Sequence, residues 1–438
     1  MKFKKLSDID NYIKLGKILF PICRSLTGNG NRQTLKILKK KINNLKILEI
    51  PSGKKIYDWQ IPPEWNIDDA YVLDGEGKKI IDFKDSNLHI INYSSPISKS
   101  IKFKDLKKNL HYLKKQPNHI PYITSYYKRK WGFCLSYNHF KKLEKNYKPN
   151  SVFKAEIKSS FKKKGSLSIG EAIIKGKSKK EILISTYMCH PSTCNDNLSG
   201  ILLSTLIYEH FKKYSCKYTL RFVFLPEIIG SISYINKRLK ILKKNVIAGY
   251  NLTCVGDERN FSFIPSKTNN SLTNQSALKV FEENKLKFKK YNFNDFRSDE
   301  GNYNSHGIDL EVATFCRTKY AEFNEYHTSA DDFKVLTKNG LYKSYIVMVK
   351  IINKISNLIL PECKVLCEPQ LGKRGLHPLL GTKEKKTEVK KFINFLQYSN
   401  GINEISDISK LIKVDIKECK KIYKILKSKK LVWYQKYE

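Results

Sequence analysis

Four short segments carry side chains whose types and spacing could do chemistry. The first is Cys189-His190-Pro191-Ser192-Thr193-Cys194-Asn195-Asp196-Asn197-Leu198-Ser199-Gly200, which follows an apolar run and precedes a helical pattern. A His and an Asp six residues apart on such a loop can converge on one cation, since imidazole nitrogen and carboxylate oxygen both suit zinc at about 2.0–2.2 Å. For His190 taken alone, a hydrogen-bonded core histidine is the plainer alternative. The second segment, Phe224-Leu225-Pro226-Glu227-Ile228-Ile229-Gly230-Ser231, places an acid where a strand ends and a helix begins. Glu227 there can serve a site or simply favour the helix dipole. The third, Arg297-Ser298-Asp299-Glu300, offers two further acids, with a solvated loop as the alternative. The fourth, Glu325-Tyr326-His327-Thr328-Ser329-Ala330-Asp331-Asp332, supplies a second histidine. It also sets Asp331 where it could orient the His327 imidazole, as acids beside metal-bound histidines do.

The elements that must position these segments follow from hydrophobic periodicity. EILISTYM (181–188), TLRFVFL (219–225), VIAGYNLTCV (246–255) and LEVATF (310–315) read as short buried strands. Helical patterns fall at 198–213, 230–242, 273–286 and 337–358. Alternation of this kind predicts an α/β domain with a largely parallel sheet. Ligands on such sheets gather beyond the carboxyl ends of the strands, which is where His190 and Glu227 fall.

Upstream, residues 8–45 read as helical. Residues 46–149 read as a small β-rich insert, with a hairpin signal at Asp74-Gly75-Glu76-Gly77. Residues 361–386 read as a linker, and 387–438 as a winged helix built from 388–398, 404–412, 415–428 and a β-wing in KKLVWYQ. The α/β domain is then assigned to 1–45 and 150–360.

Bulk properties restrict the function classes. The opening MKFKKLSDIDNYIKLGKILF has no apolar stretch with a small-residue cleavage site, and no run approaches a membrane span, so a soluble cytoplasmic protein is expected. The ten cysteines show no paired framework and read as reduced core thiols; Cys363 and Cys367 could form a metal clip but lack a second pair. The formal charge of +41 comes overwhelmingly from Lys spread along the chain. Arg, the bidentate reader of phosphates and bases, is scarce, so a Lys-rich composition is preferred to a nucleic-acid partner.

The four segments, in this order, resemble the co-catalytic zinc aminopeptidases. LFPICRSLTGNGNRQTL, PSGKKIYDWQIPPEW, DAYV, NLHIINYSSP, PYITSYY and WGFC extend the resemblance to a bacterial aminopeptidase-like branch associated with polysaccharide biosynthesis, with a C-terminal winged helix. The resemblance covers nearly the whole chain. It implies a zinc-aminopeptidase-like α/β/α domain with a mixed sheet. It also implies that His190 and Asp196 match the first ligand His and the bridging Asp, that His327 matches the last ligand His, and that Asp299 matches an acid near the site. Two departures stand out. Those peptidases carry paired glutamates, one a base and one a ligand, but here Pro226 precedes a single Glu227. They also end a strand in Asn-Leu-Asp, but here it is Asn251-Leu252-Thr253, with Asp257 four residues on.

The expectation is zinc-assisted hydrolysis of an amide or peptide bond. The metal set is His190, Asp196, Glu227 and His327, and the candidates for proton transfer are Glu227, Asp299 and Glu300. One zinc is expected, with two ions as the alternative. The substrate is a small peptide or an acylated amino sugar, and a homo-oligomer is left open. The rival is a non-catalytic, metal-containing regulator using the winged helix, whose Lys residues could meet phosphates. Tyr57, Trp59, Trp65, Tyr126, Tyr127 and Trp131 could line the cleft or fill a core. Arg24 could clamp a carboxylate, but nothing in the sequence places it in the cleft.

Overall fold

The computed structural model describes residues 3–126, 128–377 and 383–433. Helix α1 (Asp10–Leu19) stops ahead of Pro21, which has no N–H to continue the ladder, and α2 (Asn29–Lys39) starts after Gly28. Strand β1 (Lys46–Pro51) follows. Next come β2 (Glu64–Leu73), β3 (Lys79–Asp82), β4 (Ile97–Lys102), helix α3 (Tyr137–Asn146) and β5 (Val152–Lys162). Strands β3-β2-β5-β4 form an antiparallel sheet in that order. The β2–β3 hairpin turns at the predicted place. There the Asp74 Oδ1 accepts the N–H groups of Glu76 and Lys78 at 3.0 and 2.9 Å.

The large domain continues with β6 (Ser166–Ile174), β7 (Ser178–Tyr187), α4 (Ser199–Lys213), β8 (Tyr218–Leu225), α5 (Ile229–Asn245) and β9 (Val246–Leu252). Then come β10 (Phe261–Ile264), α6 (Leu272–Glu283), β11 (Phe288–Lys290), β12 (Val312–Cys316) and α7 (Lys338–Asn357). Its eight strands run β1-β6-β8-β7-β9-β12-β10-β11. The centre, β8-β7-β9-β12, is parallel. Antiparallel pairs join β6 to β8 and to β1 on one side, and β10 to β12 on the other. The sheet is therefore mixed. One face packs Leu202, Leu206, Val280, Met348 and Ile352 of α4, α6 and α7. The other packs Ile232 and Ile235 of α5, completing an α/β/α sandwich.

Sheet membership differs from the expected boundaries. Lys46–Pro51 pairs with β6 in the large sheet, whereas Val152–Lys162 crosses back into the insert and pairs with β2. Both runs are amphipathic strands, and local pattern cannot say which sheet a strand joins. The expected linker also begins inside the C-terminal module. Strand β13 (Glu362–Cys363) pairs with β14 (Val432–Trp433), enclosing α8 (Lys383–Gln397), α9 (Ile405–Ile412) and α10 (Ile416–Ser428). Phe395, Ile408, Cys419 and Leu426 fill its core. The wing beyond Trp433 lies outside the described residues, as do residues 378–382 of that segment. Lys279 of α6 ties this module to the large domain through Glu404 and Asp407, at 2.5 and 2.9 Å. Among the described residues, no helix is long and apolar enough to cross a membrane.

Beneath α5 lies a buried charge cluster. Arg221 on β8 reaches Glu181 with Nε at 2.6 Å and Nη2 at 2.9 Å, and Glu171 with Nη1 at 2.6 Å. Tyr234 and Arg238 of α5 complete it on Glu171. Removing one partner strands buried charge. Arg221→Ala is therefore expected to destabilise the domain by about 3–5 kcal/mol, read from the midpoint of urea unfolding. An unchanged midpoint would show that the cluster contributes nothing net.

Candidate metal centre

The loop after β7 is built to hold one shape. Asn197 Nδ2 donates to Thr186 Oγ1 at 2.8 Å and to the Leu252 carbonyl at 3.1 Å, bridging the ends of β7 and β9. Its Oδ1 accepts the Gly200 N–H at 3.1 Å. A Cβ on Gly200 would stand 2.4 Å from both Leu252 O and Thr186 Oγ1, so only glycine lets α4 start this close to the sheet. Asp331 closes the loop from the far side by accepting the N–H groups of Asn195 and Asp196 at 2.7 and 2.9 Å. This corrects the expectation for Asp331: it orients the Asp196 backbone, and both its oxygens are spent there rather than on the His327 imidazole.

His190, Asp196 and His327 converge, with one ligand atom from each lying within 4.8 Å of the others. Asp196 Oδ2 and His327 Nε2 are 3.0 Å apart. Both atoms are buried and neither makes a hydrogen bond. Orphaned buried polar atoms are costly. Facing each other beside a second imidazole, they fit a shared divalent cation, and two imidazoles with a carboxylate form a zinc-type donor set. His327 has a φ of 56°, a left-handed conformation uncommon outside glycine. It is braced by Tyr326, which stacks on its ring at 3.9 Å, and by the Tyr122 N–H, which donates to its carbonyl at 2.8 Å. Burial pushes the His190 imidazole down to about 4, so at neutral pH it is uncharged and keeps a lone pair for a metal.

The other oxygen of Asp196 is already engaged. Tyr187, the last residue of β7, donates its hydroxyl to Asp196 Oδ1 and stands 2.6 Å from Thr253 Oγ1. Thr253 is the residue found where the resemblance leads one to look for a further ligand Asp. A phenol thus occupies the side of Asp196 that a second ion would need. Asp257 sits elsewhere, accepting from the Thr318 N–H and hydroxyl at 2.9 Å each. Tyr187→Phe is expected to weaken divalent-cation binding by roughly 10–100-fold, the usual effect of losing a group that orients a ligand. Competition against a chelating dye measures it.

Glu227 flanks this group. Its Oε2 lies 3.9 Å from His190 Nε2, and its Oε1 accepts from Ser298 Oγ at 2.6 Å. Burial, reinforced by the negative charges of Asp299 and Asp196, pushes its carboxyl well up. Ile228, the next residue, has φ 61° and ψ −75°, which for a β-branched side chain costs about 1–3 kcal/mol. Asp299 holds that turn, accepting the Ile228 N–H and the Ser231 hydroxyl at 2.7 Å each. Neither of the other two candidates for proton transfer, Asp299 and Glu300, lines the cavity beside Glu227. Asp299 is fully buried behind the turn, and burial raises its carboxyl to about 7. Glu300 is equally buried and accepts from Tyr320 OH at 2.6 Å and Asn251 Nδ2 at 3.0 Å.

The ligand group opens onto a cavity of about 290 Å³ walled by Leu26, Trp59, Tyr122, Tyr126, Ile228 and Ile229. Of the aromatic candidates, Trp59 and Tyr126 line it, whereas Trp65 is buried and Trp131 packs on the insert core. Tyr57 is largely exposed, and Tyr127 lies outside the described residues. Arg24 does not face the cavity. It is buried behind the site, and its two terminal nitrogens donate to the carbonyls of Leu19 and His190 at 2.5 and 2.9 Å. Tyr187 and Tyr122 are the site residues that sequence reasoning missed, whereas Cys189 and Ser298 stood in the quoted segments without a role. Tyr122 stands edge-on to both His190 and His327, its ring centre 5.1 Å from each. Its backbone is stitched to the His327 loop by a bridge between Pro121 and Thr328. For Tyr187 the available signal was its place at the end of the strand that leads to His190.

Comparison with known proteins agrees with this architecture. The model of a family described as a domain of unknown function, DUF4910, matches residues 13–357. A winged helix-turn-helix model matches residues 359–433, starting where β13 joins the C-terminal sheet. A Clostridium acetobutylicum protein, named for polysaccharide biosynthesis and an aminopeptidase-like domain, is 42% identical over 364 residues, 83% of this chain and 82% of that protein. A solved structure described as that of a peptidase from Clostridium acetobutylicum superposes with a TM-score of 0.80 at 38% identity, covering 98% of this chain and 97% of the other. BSAP, a zinc aminopeptidase from Bacillus subtilis, gives a TM-score of 0.57 at 14% identity, covering 80% and 95%, a likeness of fold. The chain belongs to the DUF4910 family, as an aminopeptidase-like α/β domain followed by a winged helix-turn-helix module.

Proposed function

We propose that this protein is a zinc-dependent hydrolase of an amide or peptide bond with a single metal ion. The observation that carries the reading is the pair of unpartnered buried atoms, Asp196 Oδ2 and His327 Nε2, 3.0 Å apart beside His190. His190, Asp196 and His327 would hold the ion, which when bound lowers the pKa of water towards about 7 and polarises a carbonyl. Tyr187 blocks the second position on Asp196, which favours one ion over two. Glu227, the remaining acid at the cavity, takes the proton from water, and Ser298 fixes its rotamer. The C. acetobutylicum relative's name supports polysaccharide biosynthesis as the setting.

Metal analysis and turnover test this together. Protein loaded with zinc and desalted should retain about one ion per chain, as the three-residue donor set implies. It should also hydrolyse members of a panel of aminoacyl amides and acylated amino sugars. Retention of two ions would refute the single-ion reading, and a zinc-loaded protein inert on the whole panel would refute hydrolysis.

A further inference from the structure

We infer that the cavity beside the ligand group selects an electrically neutral N-acyl group, so that the protein removes acyl groups from amines rather than amino acids from free N-termini. This rests on the hydrolase reading above and narrows its substrate. The argument begins with the walls. Leu26, Trp59, Tyr122, Tyr126, Ile228 and Ile229 offer aromatic faces and aliphatic surface. The neutral polar groups at the cavity are Gln60, Thr124 and the hydroxyls of Tyr122 and Tyr126, which are 2.9 Å apart. Tyr126 in turn donates to Asn92 Oδ1 at 3.2 Å. Such groups bond amide N–H, carbonyl and sugar hydroxyl, and aromatic faces suit the apolar face of a ring.

No fixed charge in this cavity is available to an ionic substrate. Among the described residues, Glu227 is the only carboxylate lining it, and no Lys or Arg lines it, although the chain carries 82 of them. A substrate ammonium entering this space would give up its water and need a buried partner. Only Glu227 could serve, with Ser298 already on one oxygen. A Glu227 paired to an ammonium cannot also accept the proton of water, because one carboxylate would be doing both jobs. A substrate carboxylate fares no better, since Arg24 does not line the cavity and holds the carbonyls of Leu19 and His190 instead. A neutral amide needs no charged anchor and leaves Glu227 free. In its hydrolysis the water oxygen bonds to the acyl carbon and the C–N bond breaks. Glu227 carries the water proton to the departing nitrogen, and the products are a carboxylic acid and an amine.

Matched pairs decide it: leucinamide against N-acetyl-leucinamide, and glucosamine against N-acetylglucosamine. Binding to the zinc-loaded full chain is read by calorimetry, with turnover measured alongside. The neutral member of at least one pair should bind at least about tenfold more tightly, since a desolvated ammonium without a partner costs more than one factor of ten. Equal binding, preference for the amine, or no binding of either neutral member overturns the inference. Preferential binding without turnover would sustain the selection of a neutral N-acyl group while refuting hydrolysis and with it acyl removal, and faster turnover of leucinamide would overturn the selection while sustaining hydrolysis. Thr124→Glu places a carboxylate at the exposed rim and should raise leucinamide affinity by roughly tenfold, the worth of one charge-assisted bond. No gain in that variant would remove the electrostatic basis of the selection.

Discussion

His190→Ala and His327→Ala should each lose tightly held zinc, with affinity falling by more than the roughly 10–100-fold that follows removal of a merely orienting residue. Each histidine supplies one of three converging ligand atoms, so its loss leaves the ion two protein donors. The fold should survive. His190 sits on a loop held independently by Asn197 and Asp331, and the His327 backbone is held by Tyr122. His210 is the matched control. It too is buried and pushed down to about 4, yet its Nδ1 meets Tyr345 OH at 2.7 Å, far along α4 from the ligand loop. Burial and a lowered pKa therefore do not distinguish a ligand from a core histidine; convergence with other donors does. His210→Gln should keep full zinc content. Metal analysis after desalting, with urea unfolding of each variant, separates the cases. Full zinc in both alanine variants would sink the site assignment.

Legibility of the fold followed the range of the interactions that determine it. The strands leading to His190 and Glu227 and the helices after them were readable because each is a compact apolar run ended by polar residues. Ser166–Ile174, Phe261–Ile264 and Phe288–Lys290 were missed. Two of these are too short to show a period, and the third alternates with no helix beside it. The sheet exchange of Lys46–Pro51 and Val152–Lys162 depends on pairing between segments far apart in the chain, such as Lys46 with Glu171 and Glu64 with Lys162, which no local pattern encodes. The C-terminal core was periodic enough to read, but its first strand is only two residues long.

At the site, residue identity was legible and orientation was not. His190, Asp196, Glu227 and His327 stand in loops whose chemistry is visible as spelling. Glu300 and Asp331 are spelled just as suggestively, yet each turns its oxygens to backbone or buried side chains, and Asp299 turns one oxygen to the Ile228 turn. An acid near a site can bond to substrate, to metal or to a strained turn, and only coordinates separate these. Tyr187 shows the converse. A strand-end tyrosine reads as core, and its meaning depends on Thr253 standing opposite.

Glu227→Gln is the second large effect expected, and it tells base from ligand. The substitution keeps shape and volume, and Gln Oε1 can still accept from Ser298 Oγ, so the turn at Ile228 should persist. What it removes is the ability to take a proton. If Glu227 is the base, turnover should fall by roughly 10²–10⁴-fold, the usual contribution of general base catalysis, while zinc content and substrate affinity stay near their starting values. If Glu227 is a fourth ligand, zinc should be lost along with turnover. The geometry favours the base. His190, Asp196 and His327 converge as one set, whereas the Glu227 oxygen, 3.9 Å from His190 Nε2, converges with His190 and Cys189 in a second set that includes neither Asp196 nor His327. Asp299→Asn is the electrostatic comparison. It leaves the Glu227 carboxylate and an Oδ1 acceptor for the Ile228 turn in place but removes a negative charge that helps raise the Glu227 carboxyl, so it should lower turnover less than Glu227→Gln and move the acid limb of the pH profile to lower pH. Zinc content and initial rates on one substrate, measured for all three proteins, decide between these outcomes. A Glu227→Gln protein that keeps both its zinc and its full rate would leave the site without a base.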